Sequence, residues 1–244
     1  MYKADEDTQR MIDWAAAAGL PPLHSLSPEA ARAQSAAGTA KTALALEPVA
    51  EVKNFDIDGG GGAIPIRIYH PADASEGPKP IVLYYHGGGF VIGNVDTHDS
   101  IPRVLANRAA AIVVSVDYRL APEHRYPAGV EDAVTSVLWA AEHGAAIGGD
   151  PQRIAVAGDS AGGNLAAVAA LRVRKTVGNA LVAQALLYPV TDHGDLSVHK
   201  SRTDHADTFP IRKPLMAWFH NHYFGHDKPM TEPDASPLHE ADLS

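Results

Sequence analysis

The chain contains no cysteine. Disulfides, zinc-thiolate centres and thiol nucleophiles are therefore excluded at once. It also lacks any unbroken apolar run long enough to span a bilayer. The first residues, Met1 to Asp7, are acidic and have no apolar stretch of signal-peptide length, so a cytoplasmic location is the default expectation. No basic run interrupts a formal net charge of −9, which argues against nucleic-acid and anionic-membrane partners. What remains is a 244-residue chain, 45% hydrophobic and 20% charged, suited to one α/β domain with an appended cap.

The most informative stretch runs from Arg153 to Leu171. Apolar residues Ile154 to Ala157 lead into Gly158-Asp159-Ser160-Ala161-Gly162, and an alanine-rich helical segment follows directly. Strand, sharp turn and helix around G-x-S-x-G set a serine hydroxyl above a sheet with a helix N-terminus aimed at it. Gly158 and Gly162 are expected where strand and helix pass too closely for a side chain.

Upstream, the period of the sequence divides the chain. Glu6 to Ala18 and a segment opening at Ser27-Pro28 read as helices, the second ending near Gly38. Alternation of period two from Val49, interrupted by Gly59 to Gly62 and resumed at Ile64, Ile66 and Ile68, predicts an antiparallel hairpin at a sheet edge. Ile81 to Tyr85, Ala111 to Val116, Arg153 to Ala157 and Leu181 to Leu187 read as buried parallel strands. They alternate with helices from His98 to Ala109 and from Pro127 to Gly144, the latter with an apolar stripe through Val130, Ala133, Val134, Val137, Leu138 and Ala141. The result is a mostly parallel, doubly wound sheet. Residues 190–210 read as polar loop, and Ile211 to Phe224 as a helix with Leu215, Trp218, Phe219 and His222 along one side. The expected organisation is a first cap segment at 1–48, a core at 49–189, a second cap segment at 190–230, and the start of a return to the core at 231–244.

The strand Ile81 to Tyr85 delivers His86-Gly87-Gly88-Gly89-Phe90. Successive glycines leave backbone N–H groups open to a ligand oxygen, as stabilisation of a tetrahedral oxyanion requires. A glycine run of this kind also serves turns and phosphate loops; its pairing with a downstream G-x-S-x-G selects the oxyanion reading.

With Asp117-Tyr118-Arg119-Leu120-Ala121-Pro122-Glu123, these two motifs closely resemble the hormone-sensitive-lipase family of α/β-hydrolases, in its bacterial GDSAG carboxylesterase branch. The resemblance covers essentially the whole chain. It implies Ser160 as nucleophile and the N–H groups of Gly88, Gly89 and Ala161 as oxyanion hole, with Gly87 shaping the loop. It implies a helical cap over an acyl pocket, lined at its entrance by Phe90, Asp159, Phe209, Leu215 and Trp218. The substrate would be a small ester of a short or medium acyl chain, with no cofactor.

The family's acid and histidine motifs, a D-x-x-x-D-E-like turn and a later H-G-F-like loop, are absent, so no triad Asp or His is assigned in this chain. Ser236-Pro237-Leu238 and Ala241 to Ser244 look like the segment before the strand that carries the acid. The final strands and helices of the fold are thus expected to be missing. The later histidines, His193, His199, His205, His220, His222 and His226, fall in the presumed cap and read as cap-packing or solvated; His239 lies beyond it. His220, His222 and His226 share no convincing carboxylate, and no metal site is assigned. Two alternatives to an esterase stay open: a non-catalytic relative binding small carbonyl ligands, and a chain that self-associates through the exposed edge of its last strand.

Overall fold

The computed structural model describes residues 5–42, 45–73, 75–195, 198–207 and 211–243. Two helices open the chain, α1 (Glu6–Ala17) and α2 (Pro28–Thr42). Asp5 caps α1 by accepting the Thr8 N–H at 2.8 Å. The second helix runs through Gly38, where sequence alone predicts its end. A glycine inside a helix costs only about 1 kcal/mol relative to alanine, too little to stop one flanked by alanine, threonine and lysine.

Six strands follow, β1 (Glu51–Gly59), β2 (Gly62–His70), β3 (Lys79–Tyr85), β4 (Ile112–Val116), β5 (Gly149–Asp159) and β6 (Leu181–Leu187), in the order β1-β2-β4-β3-β5-β6. The hairpin β1–β2 is antiparallel and joins β4 antiparallel, while β4, β3, β5 and β6 are mutually parallel. This is the expected mixed sheet, with the hairpin at one edge. β5 is longer at both ends than predicted, because Gly149 pairs with Lys79 across a register shift and Gly158 and Asp159 pair with Leu186 and Leu187.

Helices cover both faces. On one side α4 (Ala128–His143) and α5 (Ala161–Val177) pack on Ile81, Leu83, Ile154 and Val156. On the other, α3 (Ser100–Ala109) covers Tyr69, Tyr84 and Val113. The buried face of α4 is Val130, Ala133, Val137 and Ala140, whereas Leu138 is partly exposed.

β6 departs from expectation. It is apolar in sequence but lies at the sheet edge with its side chains largely open, Val182 being 57% exposed. An apolar run reports that a strand favours burial; only the layers packed against it decide whether burial happens. Residues 190–210, predicted as loop, contain a short helix, α6 (Lys200–Asp204). The last helix, α7, runs Lys213–Phe224 with Pro214 in its first turn, two residues later than predicted. Among the described residues no helix is long and apolar enough to cross a membrane.

Candidate active site

β5 ends at Asp159 and α5 begins at Ala161, so the whole reversal is made by one residue. Ser160 adopts φ 53° and ψ −113°. A non-glycine residue held there carries roughly 1–3 kcal/mol of strain. The surroundings hold it: Ser160 N–H donates to the Leu187 carbonyl at 2.9 Å, and its own carbonyl accepts from Val190 and Asn164, each at 3.1 Å. Asn164 braces the same turn by donating to the carbonyls of Val190 and Ala235. The close approach expected at Gly162 is real, since a Cβ there would run into the Tyr85 carbonyl oxygen.

β3 delivers the glycine loop beside this turn. Gly88, at φ 120°, sits in a conformation that side chains avoid, and a Cβ on it would strike the Ile92 carbonyl. Gly87 and its two successors differ in their hydrogen bonding. The Gly87 N–H donates to Asp159 Oδ1 at 2.9 Å. Among the described residues the N–H groups of Gly88, Gly89 and Ala161 donate to no protein acceptor. Three such donors at a helix N-terminus and a glycine loop are chemically able to receive an anionic oxygen. The Gly87 N–H, tied to Asp159, is not among these free donors.

His86 anchors the base of the loop. It is fully buried, its Nδ1 donates to the Gly87 carbonyl at 2.7 Å, and its ring lies between those of Tyr118 and His98, with centroids 4.5 and 5.0 Å away. The bond to a carbonyl places the hydrogen on Nδ1 and leaves Nε2 a bare, unpartnered lone pair. Burial, with the neighbouring His98, pushes this imidazole down to about 3.

The motif Asp117 to Glu123 is the brace. Tyr118 donates to the His86 carbonyl at 2.8 Å, and Arg119 grips Asp132 of α4 through its backbone N–H, Nε and Nη2. Glu123 accepts a bidentate pair from Arg32 of α2 at 2.8 and 2.6 Å, and the same guanidinium donates to the carbonyls of Val91 and Ala121. The Arg32 guanidinium holds the Glu123 carboxyl down at about 2. Sequence reasoning used this motif for recognition only. Its tie from Glu123 to Arg32 in the first helical segment spans 91 positions and leaves no local trace.

Ser160 opens into a cavity of about 1250 Å³ lined also by Gly88, Gly89, Phe90 and Asp159. Ile12, Trp14 and Leu23 from the first helical segment and Leu215, Met216 and Phe219 from α7 form much of its apolar wall. Leu215 lines this wall. Trp218 does not: it faces away from the cavity and packs edge-on against His222, centroids 4.4 Å apart. Phe209 lies outside the described residues. Phe90 is not at an entrance but buried, stacked on Tyr223 of α7 at 3.9 Å. Asp159 lines the cavity, yet one of its oxygens serves Gly87 and the Tyr84 hydroxyl, the latter at 2.6 Å.

The histidines also depart from the expectation of cap packing. His193, His199 and His220 reach the cavity wall. His193 is buried with Nε2 unpartnered, and burial, aided by His220 and Arg202, pushes it down to about 3. Asp192 accepts from His199 at 2.6 Å, from His239 at 3.0 Å and from the Gly194 N–H at 2.7 Å. Burial raises the Asp192 carboxyl, but these hydrogen bonds outweigh it and bring it to about 2. None of these imidazoles hydrogen-bonds Ser160 Oγ among the described residues. His220 instead meets the Lys228 carbonyl at 3.0 Å.

Comparison with known proteins agrees with this geometry. A family model for the alpha/beta hydrolase fold matches residues 82–244. Esterase LipI of Mycobacterium tuberculosis is 54% identical over 147 residues, 60% of this chain and 46% of that protein. Carboxylesterase NlhH of the same organism is 54% identical over 160 residues, 64% of this chain and 49% of that protein. The chain therefore spans about half the length of these curated relatives. Among solved structures, a hyperthermophilic esterase from the archaeon Pyrobaculum calidifontis superposes with a TM-score of 0.91 at 40% identity, covering 100% of this chain and 77% of that one.

Proposed function

The chain belongs to the α/β-hydrolase fold family, in its hormone-sensitive-lipase branch, and on that premise we propose that it is a serine carboxylesterase acting on small esters of short to medium acyl chain. The observation that carries the reading is the pairing of a strained Ser160 with three unsatisfied N–H donors, those of Gly88, Gly89 and Ala161. Ser160 Oγ attacks the ester carbonyl as its proton passes to a base. The carbonyl oxygen becomes an oxyanion held by the three amides. Collapse breaks the bond to the alcohol, which leaves with the proton, and water then hydrolyses the acyl-enzyme by the same steps.

A histidine base and the carboxylate that orients it are required in addition to what the described residues bring to Ser160. The hydroxyl alone is a weak nucleophile. Two measurements test the proposal together: hydrolysis of a chromogenic short-chain ester, and covalent labelling by a fluorophosphonate. The expected result is labelling at Ser160 and loss of both signals in Ser160→Ala. Hydrolysis that survives Ser160→Ala would refute the assignment of the nucleophile.

A further inference from the structure

Two arginines line the same cavity as Ser160 without an acidic partner. Arg202 of α6 is partly buried, and among the described residues its guanidinium has one side-chain hydrogen-bond acceptor, the Met216 sulfur, 3.0 Å from Nη1. A thioether is a weak acceptor. Arg212, which precedes α7, is exposed and has no carboxylate partner among the described residues. Every aspartate and glutamate of the chain belongs to the described residues, so the missing partner is not among the others. Other arginines around the site find carboxylates, Arg32 with Glu123 and Arg119 with Asp132.

A guanidinium stays charged at any pH the protein experiences, and removing it from water without a counter-ion is costly. Burial accordingly pushes Arg202 down, while the charge of Asp192 acts the other way. Asp192 does not supply the counter-ion. Its oxygens already serve two imidazoles and a backbone N–H, and it lies beyond ion-pair distance of Arg202. The lining carries both signs of charge. The Asp159 carboxylate stands beside Ser160 at the end of β5; Asp192, committed to its own donors, and the unpaired Arg202 and Arg212 come from the segments after β6; Leu215, Met216 and Phe219 supply apolar surface in the same cavity.

Resting on the esterase reading above, we propose that the cavity takes esters carrying a carboxylate set apart from the scissile bond by an apolar chain. Arg202 is the specificity-determining residue and Arg212 assists it. An anion beside Ser160 would meet the Asp159 carboxylate, whereas one at the far side recovers the desolvation of Arg202 through charge-assisted hydrogen bonds. Carboxylates on the acyl part and on the alcohol part share this chemistry.

The test is binding to the Ser160→Ala chain, which needs no turnover. Titration calorimetry and the fluorescence of Trp14 in the cavity wall would compare two pairs of ligands. Methyl hydrogen suberate against methyl octanoate places the carboxylate on the acyl side. 6-Acetoxyhexanoate against hexyl acetate places it on the alcohol side. At least one carboxylate ester is expected to bind about tenfold more tightly than its neutral counterpart, a preference that shrinks as salt is raised. Arg202→Gln should bring the ratio close to one, Arg202→Lys should retain part of it, and the exposed Arg212→Gln should lower it without affecting folding. Neutral esters binding as tightly as the charged ones, no detectable binding of either carboxylate ester, or a ratio that survives combined Arg202→Gln and Arg212→Gln would each overturn the proposal. Absence of hydrolysis by the Ser160 chain would count against the esterase reading and leave these ratios unaffected.

Discussion

Asp159 and Gly87 are joined by a 2.9 Å hydrogen bond from the glycine N–H to the carboxylate, and this bond separates Gly87 from the glycine amides that have no protein acceptor among the described residues. The same Oδ1 takes the Tyr84 hydroxyl at 2.6 Å. Burial and the Asp159 charge drive the Tyr84 phenol far above its usual range, so it remains a donor. One carboxylate adjacent to the nucleophile thus fixes the position of the loop opposite it.

Asp159→Ala would leave the Gly87 N–H and the Tyr84 hydroxyl without their acceptor in a site where Asp159 is only 8% exposed. Each unsatisfied buried donor costs roughly 1–3 kcal/mol. Urea denaturation should show a loss of about 2–4 kcal/mol, with Asp159→Asn milder because an amide oxygen still accepts.

His222→Ala is expected to leave ester hydrolysis within a few-fold of the parent chain. The ring packs on Trp218, on the side of α7 turned away from the cavity. A larger loss in kcat, measured with a chromogenic ester, would show that His222 reaches the reacting atoms.

Stability should fall with acidification over an unusually wide range. His86 and His193 have folded-state values near 3, against about 6.5 when unfolded. Below pH 6.5 the unfolded chain therefore binds protons that the folded chain refuses, and stability is lost progressively as pH falls towards 3. Each group adds up to about 1.4 kcal/mol per pH unit to the slope. Chemical denaturation at successive pH values checks this, and His193→Gln should reduce the slope.

Self-association through β6 is proposed from its open face, where Val182 is 57% and Leu187 39% exposed beside a strand edge unpaired among the described residues. Light scattering across a dilution series should show concentration-dependent oligomers, and Val182→Lys should diminish them. A monomer at every concentration would dismiss the idea.

How much of this was legible depends on the range of the interaction. The elbow at Ser160 and the glycine loop could be read directly, because a reversal made by one residue and an exposed run of amides need particular neighbours in sequence. The face of α7 could not. Leu215, Trp218, Phe219, His222 and Tyr223 permit more than one apolar stripe; contact with the glycine loop chose Phe219 and Tyr223, and Leu215 lines the same cavity. β6 shows the reverse error: its composition favours burial, yet α5 reaches it only in part, and Leu181 and Leu186 join the core while Val182 and Leu187 stay open.

By itself the sequence determined the sharp turn at Ser160, the glycine loop and the alternating layers that bring them to one end of a sheet, since each rests on local backbone preference or on the period of apolar residues. Tertiary structure alone decided which amides of the loop stay free, that Asp159 holds the loop, that His193 and His199 reach the cavity, and that Arg202 and Arg212 line it unpaired. These are pairings between residues far apart in the chain. A side chain's charge and hydrogen-bonding capacity are written in the sequence, but whether a partner satisfies them is settled only when the elements have packed.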